Sequence, residues 1–522
     1  MTTLDRVRVS VSAAVVALLL GPVGVSPAAA GGDMLNMAEI AADAGQLDPH
    51  VSVKSQDTIL FGQMFNGLVR FRPGSMDPAS IEPDLAERWE SSSDGLTWTF
   101  YLRKGAQFHH GYGEVTAEDI AFSLERAGDP KISAFSSDYA EVASIEPVSR
   151  YAVRIRLKRA VPSLLALVAD HHGGYVVSKK AVQESGDNFK ARPIGTGPFA
   201  FGEYRAKQWV KLVAHKDYFR GTPKLKGLTF RYIPSDSSRE LAFDKGELDL
   251  FVGKRDEKWI ARMSERKDAI VDITGPGELR TLHLNVTQKP LNDIRVRKAI
   301  AHGMNREEMM LASGRGITQP TYSPVPNGYL GSTSDVTRYD YGPDKAKALL
   351  KEAGYPDGLT IKMIGSNRPT MMKDQQLVQE QLRRVGIKVD LDTVDHTTFH
   401  AQIRKDLSPM VLYGAARFPV ADAYLTQFYH SRSIVNTPTA VTNFSHCDVA
   451  DAEIDVARVE PNPKKQLDLW KTAQRKIVDK ICSVALFEVV SVWVRRKNLE
   501  YGYDLKASLS YGPLITEQTE LK

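Results

Sequence analysis

The chain is poor in cysteine, and after its first 30 residues it lacks any long apolar run. Only Cys447 and Cys482 occur among its 522 residues. No cysteine stands directly after the N-terminal apolar run, so a lipid anchor there is not predicted. No later segment approaches the roughly 20 apolar residues of a transmembrane helix. The two cysteines are compatible with one disulfide in an exported protein and equally with two buried thiols.

The chain also lacks a strong charge of either sign. Its formal net charge is +5, and 25% of its residues are charged. The charge is spread along the chain without a basic run, so the sequence does not predict binding to nucleic acid. The apolar content of 42% is ordinary for a globular protein. The length exceeds the usual span of about 100–200 residues per domain, so two or three domains are expected.

The N-terminus has the pattern of a secretory signal peptide. Arg6 and Arg8 precede an apolar run at 11–20, and Ala28 and Ala30 form an A-x-A cleavage site. This order of basic, apolar and small residues predicts a signal peptide at 1–30 that is cleaved after Ala30. A short membrane anchor is the alternative, but the run is too short to span a bilayer.

The stretch RPIGTGPF at 192–199 loosely fits a nucleotide-binding pattern, G-x-G-x-x-G/A, through Gly195, Gly197 and Ala200. A dinucleotide loop needs a helix directly after its glycines, with free amides that face the phosphates. Here Pro198 removes one amide, and the continuation is typical of a strand or loop. We therefore interpret the glycines as turn and close-packing residues.

Helical and strand patterns are interspersed, which predicts an α/β or mixed class. Capping residues and apolar stripes predict helices that begin at Thr116 and Pro343, and others near 375–385 and 467–481. Alternating or strongly apolar runs predict strands at 96–102, 151–157, 387–391 and 484–494.

The common sequence motifs of hydrolases are also lacking. There is no G-x-S-x-G and no H-E-x-x-H, although an exported hydrolase with a spatially assembled triad stays open. Two pairs of adjacent histidines occur, at 109–110 and 171–172. Adjacent strand residues point to opposite faces, so these pairs do not predict a metal site. No cofactor is predicted.

The same glycine stretch resembles the P-x-G-T-G-P-[YF] signature of bacterial extracellular solute-binding proteins of family 5. That family serves ABC transporters for peptides, nickel and opines. Further segments resemble the family in order, so the likeness covers nearly the whole mature chain. They are 47–49, 83–89, 93–100, 102–105, 116–126, 217–221, 246–249, 293–299 and 341–358.

The resemblance implies an α/β fold with two lobes hinged by crossing strands, the class II, cluster C type of periplasmic-binding-protein fold. Lobe 1 would comprise 31–278 and 485–522 with an inserted subdomain at about 74–190, and lobe 2 would comprise 279–484. The implied function is a monomeric periplasmic carrier, not an enzyme. It would capture a peptide or peptide-like solute and deliver it to permease subunits in the inner membrane. Opines and metal chelates are the alternative solutes.

The segment 413–422 is the most informative for the solute. Arg417 stands where peptide-binding members of the family carry an aspartate for the peptide amine. A guanidinium there favours a carboxylate, which it can hold with two hydrogen bonds. Pairing of Arg417 with Asp422 inside the protein is the alternative. The other candidate ligand contacts that the resemblance suggests are Tyr413, Asp422, His171, His172, Phe135, Tyr139, Ser52 and Asp57.

Overall fold

The computed structural model describes residues 33–522, except 53, 162–163, 170, 418, 437–441 and 510–511. The signal peptide predicted at 1–30 lies outside the described residues. The strands are β1 (Met34–Glu39), β2 (Val69–Phe71), β3 (Ile81–Pro83), β4 (Ala86–Ser91), β5 (Thr97–Leu102), β6 (Val142–Ser149), β7 (Ala152–Leu157), β8 (Phe199–Arg205), β9 (Trp209–Ala214), β10 (Gly227–Tyr232), β11 (Leu250–Val252), β12 (Ala269–Leu284), β13 (Thr318–Pro320), β14 (Leu359–Ser366), β15 (Ile387–Val394), β16 (Met410–Ala415), β17 (Ser483–Arg496), β18 (Leu499–Glu500) and β19 (Glu520–Leu521). The α-helices are α1 (Ser55–Met64), α2 (Ala117–Gly128), α3 (Leu164–Leu167), α4 (Lys179–Ser185), α5 (Asp236–Asp244), α6 (Glu257–Ser264), α7 (Ile294–Gly303), α8 (Arg306–Ser313), α9 (Pro343–Glu352), α10 (Pro369–Arg384), α11 (His396–Arg404), α12 (Ala421–Tyr429), α13 (Asp451–Val459) and α14 (Pro463–Lys480).

The main sheet is mixed, and two of its strands are much longer than the others. Its strand order in the described residues is β15-β14-β16-β12-β17-β11-β1-β10-β9-β8, with β13 also paired to β17. β12 has 16 residues and β17 has 14, and the two strands pair in an antiparallel manner. Because they lie in the middle of the sheet, they connect its two ends.

The pairing of β12 with β17 shifts register between Thr274 and Glu278, and again between Arg280 and Thr281. The buried apolar clusters divide near the first shift. Two clusters draw on 35–269 and 490–515 together with Ile317, and two others draw on 279–489. We call 33–274 with 490–522 lobe 1, and 279–489 lobe 2. The boundaries predicted at 278/279 and 484/485 stay a prediction, because both fall inside continuous strands.

A separate sheet with the order β4-β5-β7-β6 lies within the stretch predicted as an insertion. Helix α2, which lies between β5 and β6 in the chain, begins where the sequence predicts. Asp119 Oδ2 accepts hydrogen bonds from the backbone N–H of Thr116, at 3.0 Å, and from its hydroxyl, at 2.8 Å. Satisfying these groups fixes the first turn of the helix.

The glycines of 192–199 serve close packing, as the sequence predicts. A Cβ on Gly195 would lie 2.1 Å from the carbonyl oxygen of Met64, and one on Gly197 would lie 2.6 Å from that of Gln63. The buried His109 places Nε2 2.9 Å from the Gly197 carbonyl oxygen. Strand β8, and not a helix, follows from Phe199, so the arrangement for a dinucleotide is absent at this stretch.

Most predicted elements are confirmed, and one boundary is wrong. The predicted helices near 343–353 and 467–481 correspond to α9 and α14, and the apolar run at 484–494 is the core of β17. Helix α10 begins at Pro369 rather than near Gln375. The structure joins Cys447 and Cys482 in a disulfide, which connects the segment before α13 to the start of β17.

Candidate functional site

The larger of two described cavities, called the large cavity below, lies between the inserted subdomain and the segment after β16. It has a volume of about 980 Å³, including the part that is open to solvent. Residues 138–173 form one wall, and residues 417–458 form the other. Four of the predicted contact residues line it, namely Tyr139, His171, Arg417 and Asp422.

Arg417 faces this cavity beside an amide and an aromatic ring. Its Nε donates to Gln427 Oε1 at 2.5 Å, and its Nη1 donates to the carbonyl oxygen of Ala416 at 2.9 Å. The guanidinium carbon lies 5.0 Å from the centre of the Phe428 ring, within the range of a cation–π contact. These contacts fix the direction of the guanidinium.

Asp422 has a different partner from the one that the sequence suggested. Its Oδ2 lies 3.4 Å from Nε of Arg458. Arg458 also lines the cavity and donates to the hydroxyl of Thr426. The proximity of Asp422 raises the pKa of Arg458, so this residue stays charged. Sequence reasoning missed Arg458, because nothing in the local pattern of α13 sets it apart from a surface cation.

The opposite wall contributes a neutral histidine and a tyrosine. His171 is buried, and burial, with a smaller effect of Arg417, lowers the pKa of its imidazole to about 3. The ring is therefore uncharged near neutral pH. Tyr139 is also buried, and its hydroxyl donates to the carbonyl oxygen of Leu167 at 3.2 Å. The lining of this second wall also includes the carboxyl side chains of Asp138 and Glu141, so the cavity holds charges of both signs.

Three other predicted residues lie outside the lining of this cavity. Tyr413 is on β16 and borders a smaller cavity, where its ring centre lies 5.2 Å from that of Phe444. Phe135 is buried after α2. His172 lies in the short turn His172–Gly174. Their predicted contact with a solute stays a prediction.

Ser52 and Asp57 are bonded to each other. Asp57 is fully buried, and its Oδ2 accepts from the hydroxyl of Ser52 at 2.5 Å. The backbone N–H groups of Gly45 and Gln46 also donate to this carboxylate, at 2.8 and 3.2 Å. Both carboxylate oxygens therefore hold the loop before α1, and the predicted role of Asp57 as partner of a cationic solute group stays a prediction.

A histidine pair near β16 was missed, although its H-x-x-x-H spacing is visible in the sequence. His396 and His400 share one face of α11, and their Nε2 atoms are 3.3 Å apart. The ring of His400 lies 5.8 Å from that of Tyr413. Burial, with smaller effects of His396 and nearby arginines, lowers the pKa of His400 to about 3.

The described residues hold no group of three or more histidine, cysteine or acidic side chains that could bind a metal. Within the same part of the chain, every helix is too short or too polar to cross a membrane.

The two lobes, the crossing strands β12 and β17 and the additional sheet define a periplasmic-binding-protein fold of the cluster C type. A family model for bacterial extracellular solute-binding proteins, family 5, matches residues 80–436. The chain belongs to this family, whose members bind solutes for ABC transport and do not catalyse reactions.

Relatives cover nearly the whole chain. The solved structure of MoaA from A. tumefaciens R10, in complex with mannopinic acid, is 46% identical with a TM-score of 0.90 and covers 94% of this chain and 100% of that one. The structure of DppA from Helicobacter pylori, in complex with the peptide STSA, is 26% identical with a TM-score of 0.83. It covers 94% of this chain and 98% of that one. Di/tripeptide-binding protein 2 of Pseudomonas aeruginosa is 29% identical over 84% of this chain and 86% of its own length.

Proposed function

We propose that the chain is the exported solute-binding component of an ABC importer and that its solute is a small anionic compound of the opine type. After cleavage of residues 1–30 it would act in the periplasm as a monomer. It would close its lobes around the solute and deliver it to permease subunits in the inner membrane. An ordinary peptide, the expectation from family membership alone, is the competing solute.

The observation that carries this proposal is the 46% identity to MoaA over 94% of the chain. The two peptide-binding relatives described above are 26% and 29% identical. Arg417 supports the same choice, because its guanidinium lines the cavity and can donate charge-assisted hydrogen bonds to a carboxylate of the solute.

Isothermal titration calorimetry of the exported protein tests the proposal with three solutes, namely mannopinic acid, glutathione and the dipeptide Met-Leu. We expect mannopinic acid to bind most tightly and to be recovered chemically unchanged. Arg417→Gln should weaken that binding by about 10- to 100-fold, because one charge-assisted contact contributes about 1.5–3 kcal/mol.

Arg383→Gln is the matched control. It removes an exposed guanidinium that pairs with Glu380 at the far end of α10, and it should leave the affinity unchanged. Tighter binding of the dipeptide or of glutathione than of mannopinic acid would contradict the proposal. Equal affinities of wild type and Arg417→Gln for mannopinic acid would remove Arg417 from the site.

A further inference from the structure

Three arginines and a glutamate lie close enough to influence one another electrostatically where the strands of the two lobes come together. Arg255 follows β11 in lobe 1, Glu278 and Arg280 lie on β12 just after the first register shift, and Arg368 is the N-cap residue of α10 in lobe 2. We call these four residues the arginine cluster. It lies apart from the lining of the large cavity.

The arginine cluster has more guanidinium groups than carboxylates to pair with them. Glu278 Oε2 lies 2.8 Å from Nη1 of Arg280 and 3.8 Å from Nη1 of Arg255, so one carboxylate serves two guanidiniums. Arg280 Nε lies 3.2 Å from Asp374 Oδ2 but lacks hydrogen-bond geometry, and this buried N–H has no acceptor. Among the described residues, the guanidinium of Arg368 makes no ion pair within 4.0 Å and no hydrogen bond.

Three guanidinium charges therefore face two carboxylates, Glu278 and Asp374. The remaining nearby carboxyl, Glu39 at the end of β1, does not reliably supply a third negative charge. Burial raises its pKa to about 7 against the opposing effects of Arg368 and other arginines, and its buried Oε2 has no partner. One guanidinium charge is thus left without a matching carboxylate, so the cluster is suited to an anion from outside the protein.

The arginine cluster is partly exposed to solvent. β12 is an inner strand between β16 and β17, yet the side chain of Glu278 is 20% exposed and that of Arg255 is 24% exposed. Below the cluster, Gly414 on β16 pairs in register with Arg280. A Cβ on Gly414 would lie 1.6 Å from Arg280 Nη1, so the absence of a side chain there lets the guanidinium lie flat on the sheet.

The arginine cluster and the large cavity are neighbours. Gly414, under Arg280, precedes Arg417 by three residues on the same strand and its following loop. Arg368 and Arg417 both contribute to lowering the pKa of the His400 ring, after burial and the closer His396 and Arg404. A solute that reached from the large cavity to the arginine cluster would contact both cationic centres.

From these contacts we propose that the arginine cluster binds a carboxylate of the captured solute. The inference rests on the proposed function and specifies the class of the solute as an acidic amino-acid conjugate with two carboxylates. One carboxylate lies at Arg417, and the other lies between Arg255 and Arg368 with Arg280 beneath it. A guanidinium fork holds each in two hydrogen bonds.

The test uses two amino-acid conjugates with the same polyol substituent on nitrogen, one built on glutamate and the other on glutamine. They have nearly the same shape and differ by one carboxylate. By calorimetry, wild type should bind the glutamate conjugate at least about tenfold more tightly, from a charge-assisted hydrogen bond of about 1.5 kcal/mol or more. Arg255→Gln and Arg368→Gln should each reduce this preference toward equality, whereas the control Arg383→Gln should keep it.

The outcomes separate the two proposals. Equal binding of both conjugates to wild type would overturn the two-carboxylate class but leave an opine-type solute standing. A preference that survives in both Arg255→Gln and Arg368→Gln would also overturn it. Binding of the dipeptide with no binding of either conjugate would overturn the proposed function as well. Melting curves of each variant establish that it is folded, and both substituted side chains are partly exposed.

Discussion

Gly414 is a single residue on which the geometry of the arginine cluster depends. Because a Cβ there would lie 1.6 Å from Arg280 Nη1, Gly414→Ala must displace a guanidinium that is 4% exposed and paired with Glu278 and Asp374. We expect a loss of about 1–3 kcal/mol in the free energy of unfolding, the usual cost of overpacking. Chemical denaturation measures this loss, and calorimetry should show weaker solute binding.

Gly316→Ala is the control for this substitution. Nothing lies within 4 Å of the Cβ that it would add, so its effect should stay within about 0.5 kcal/mol, as for most surface changes. If Gly414→Ala were as stable as wild type and bound solute equally well, the position assigned to Arg280 would be wrong.

The sequence predicts some residues of the candidate site and does not predict others. Arg417 could be proposed because it stands inside a recognisable segment, and the structure places it in the large cavity. Arg255, Arg280 and Arg368 could not, since each lies in a different segment and only the strand order brings them together. His396 and His400 form a local i, i+4 pair that the sequence displays, and they were overlooked.

At the scale of elements, local signals predict the structure best where one element is self-contained. The start of α2 follows from its own capping residues. The early start of α10 was missed, although Pro369 is a typical first residue of a helix. The long strand β12 was missed because Gly-Pro-Gly at 275–277 is typical of a turn. Pairing with β17 on both sides carries the strand through this stretch, and that pairing is a tertiary effect.

Strand β17 carries a carboxyl group whose titration should make stability depend on pH. Glu488 is buried, and burial raises its pKa from 4.5 to about 7, although the N–H of Asn327 donates to Oε1 at 2.8 Å. The folded chain therefore holds this proton where the unfolded chain releases it. The contribution of Glu488 to stability is fully present below about pH 4.5 and is lost as the pH rises toward 7.

Glu488→Gln removes this titration and can keep the hydrogen bond from Asn327. We expect the variant to exceed wild type by about 1–3 kcal/mol in the free energy of unfolding at pH 8. The difference should shrink toward pH 5. Urea denaturation at both values measures it. Glu118→Gln, at a carboxylate that is 70% exposed, should show no such pH-dependent difference. A gap that grows toward low pH would contradict the raised pKa.

At the scale of the whole described chain, the fold class was predictable because motifs spread over the length resemble one family in order. The solute was not, because family membership fixes the scaffold while the solute contacts depend on a few side chains. An arginine in place of the expected aspartate at 417 favoured a carboxylate in the solute, while a peptide or peptide-like solute stayed the expectation from the family resemblance. The unequal charges of the arginine cluster, which are visible only after folding, extend the same argument to a second carboxylate.

Two continuous strands connect lobe 1 to lobe 2, and their pairing is interrupted at 275–277, with a smaller shift of register between Arg280 and Thr281. Such an interruption can absorb a change in backbone angles while the paired segments on either side stay rigid. A solute that contacts both lobes stabilises the closed arrangement, because only that arrangement offers all of its contacts. We therefore expect small-angle scattering of wild type to give a smaller radius of gyration when mannopinic acid is added. Arg417→Gln at the same concentration should keep the larger radius, since its affinity is reduced. Identical scattering curves with and without solute, under conditions where calorimetry shows saturation, would mean that binding involves no closure and that the interruption in β12 is not a hinge.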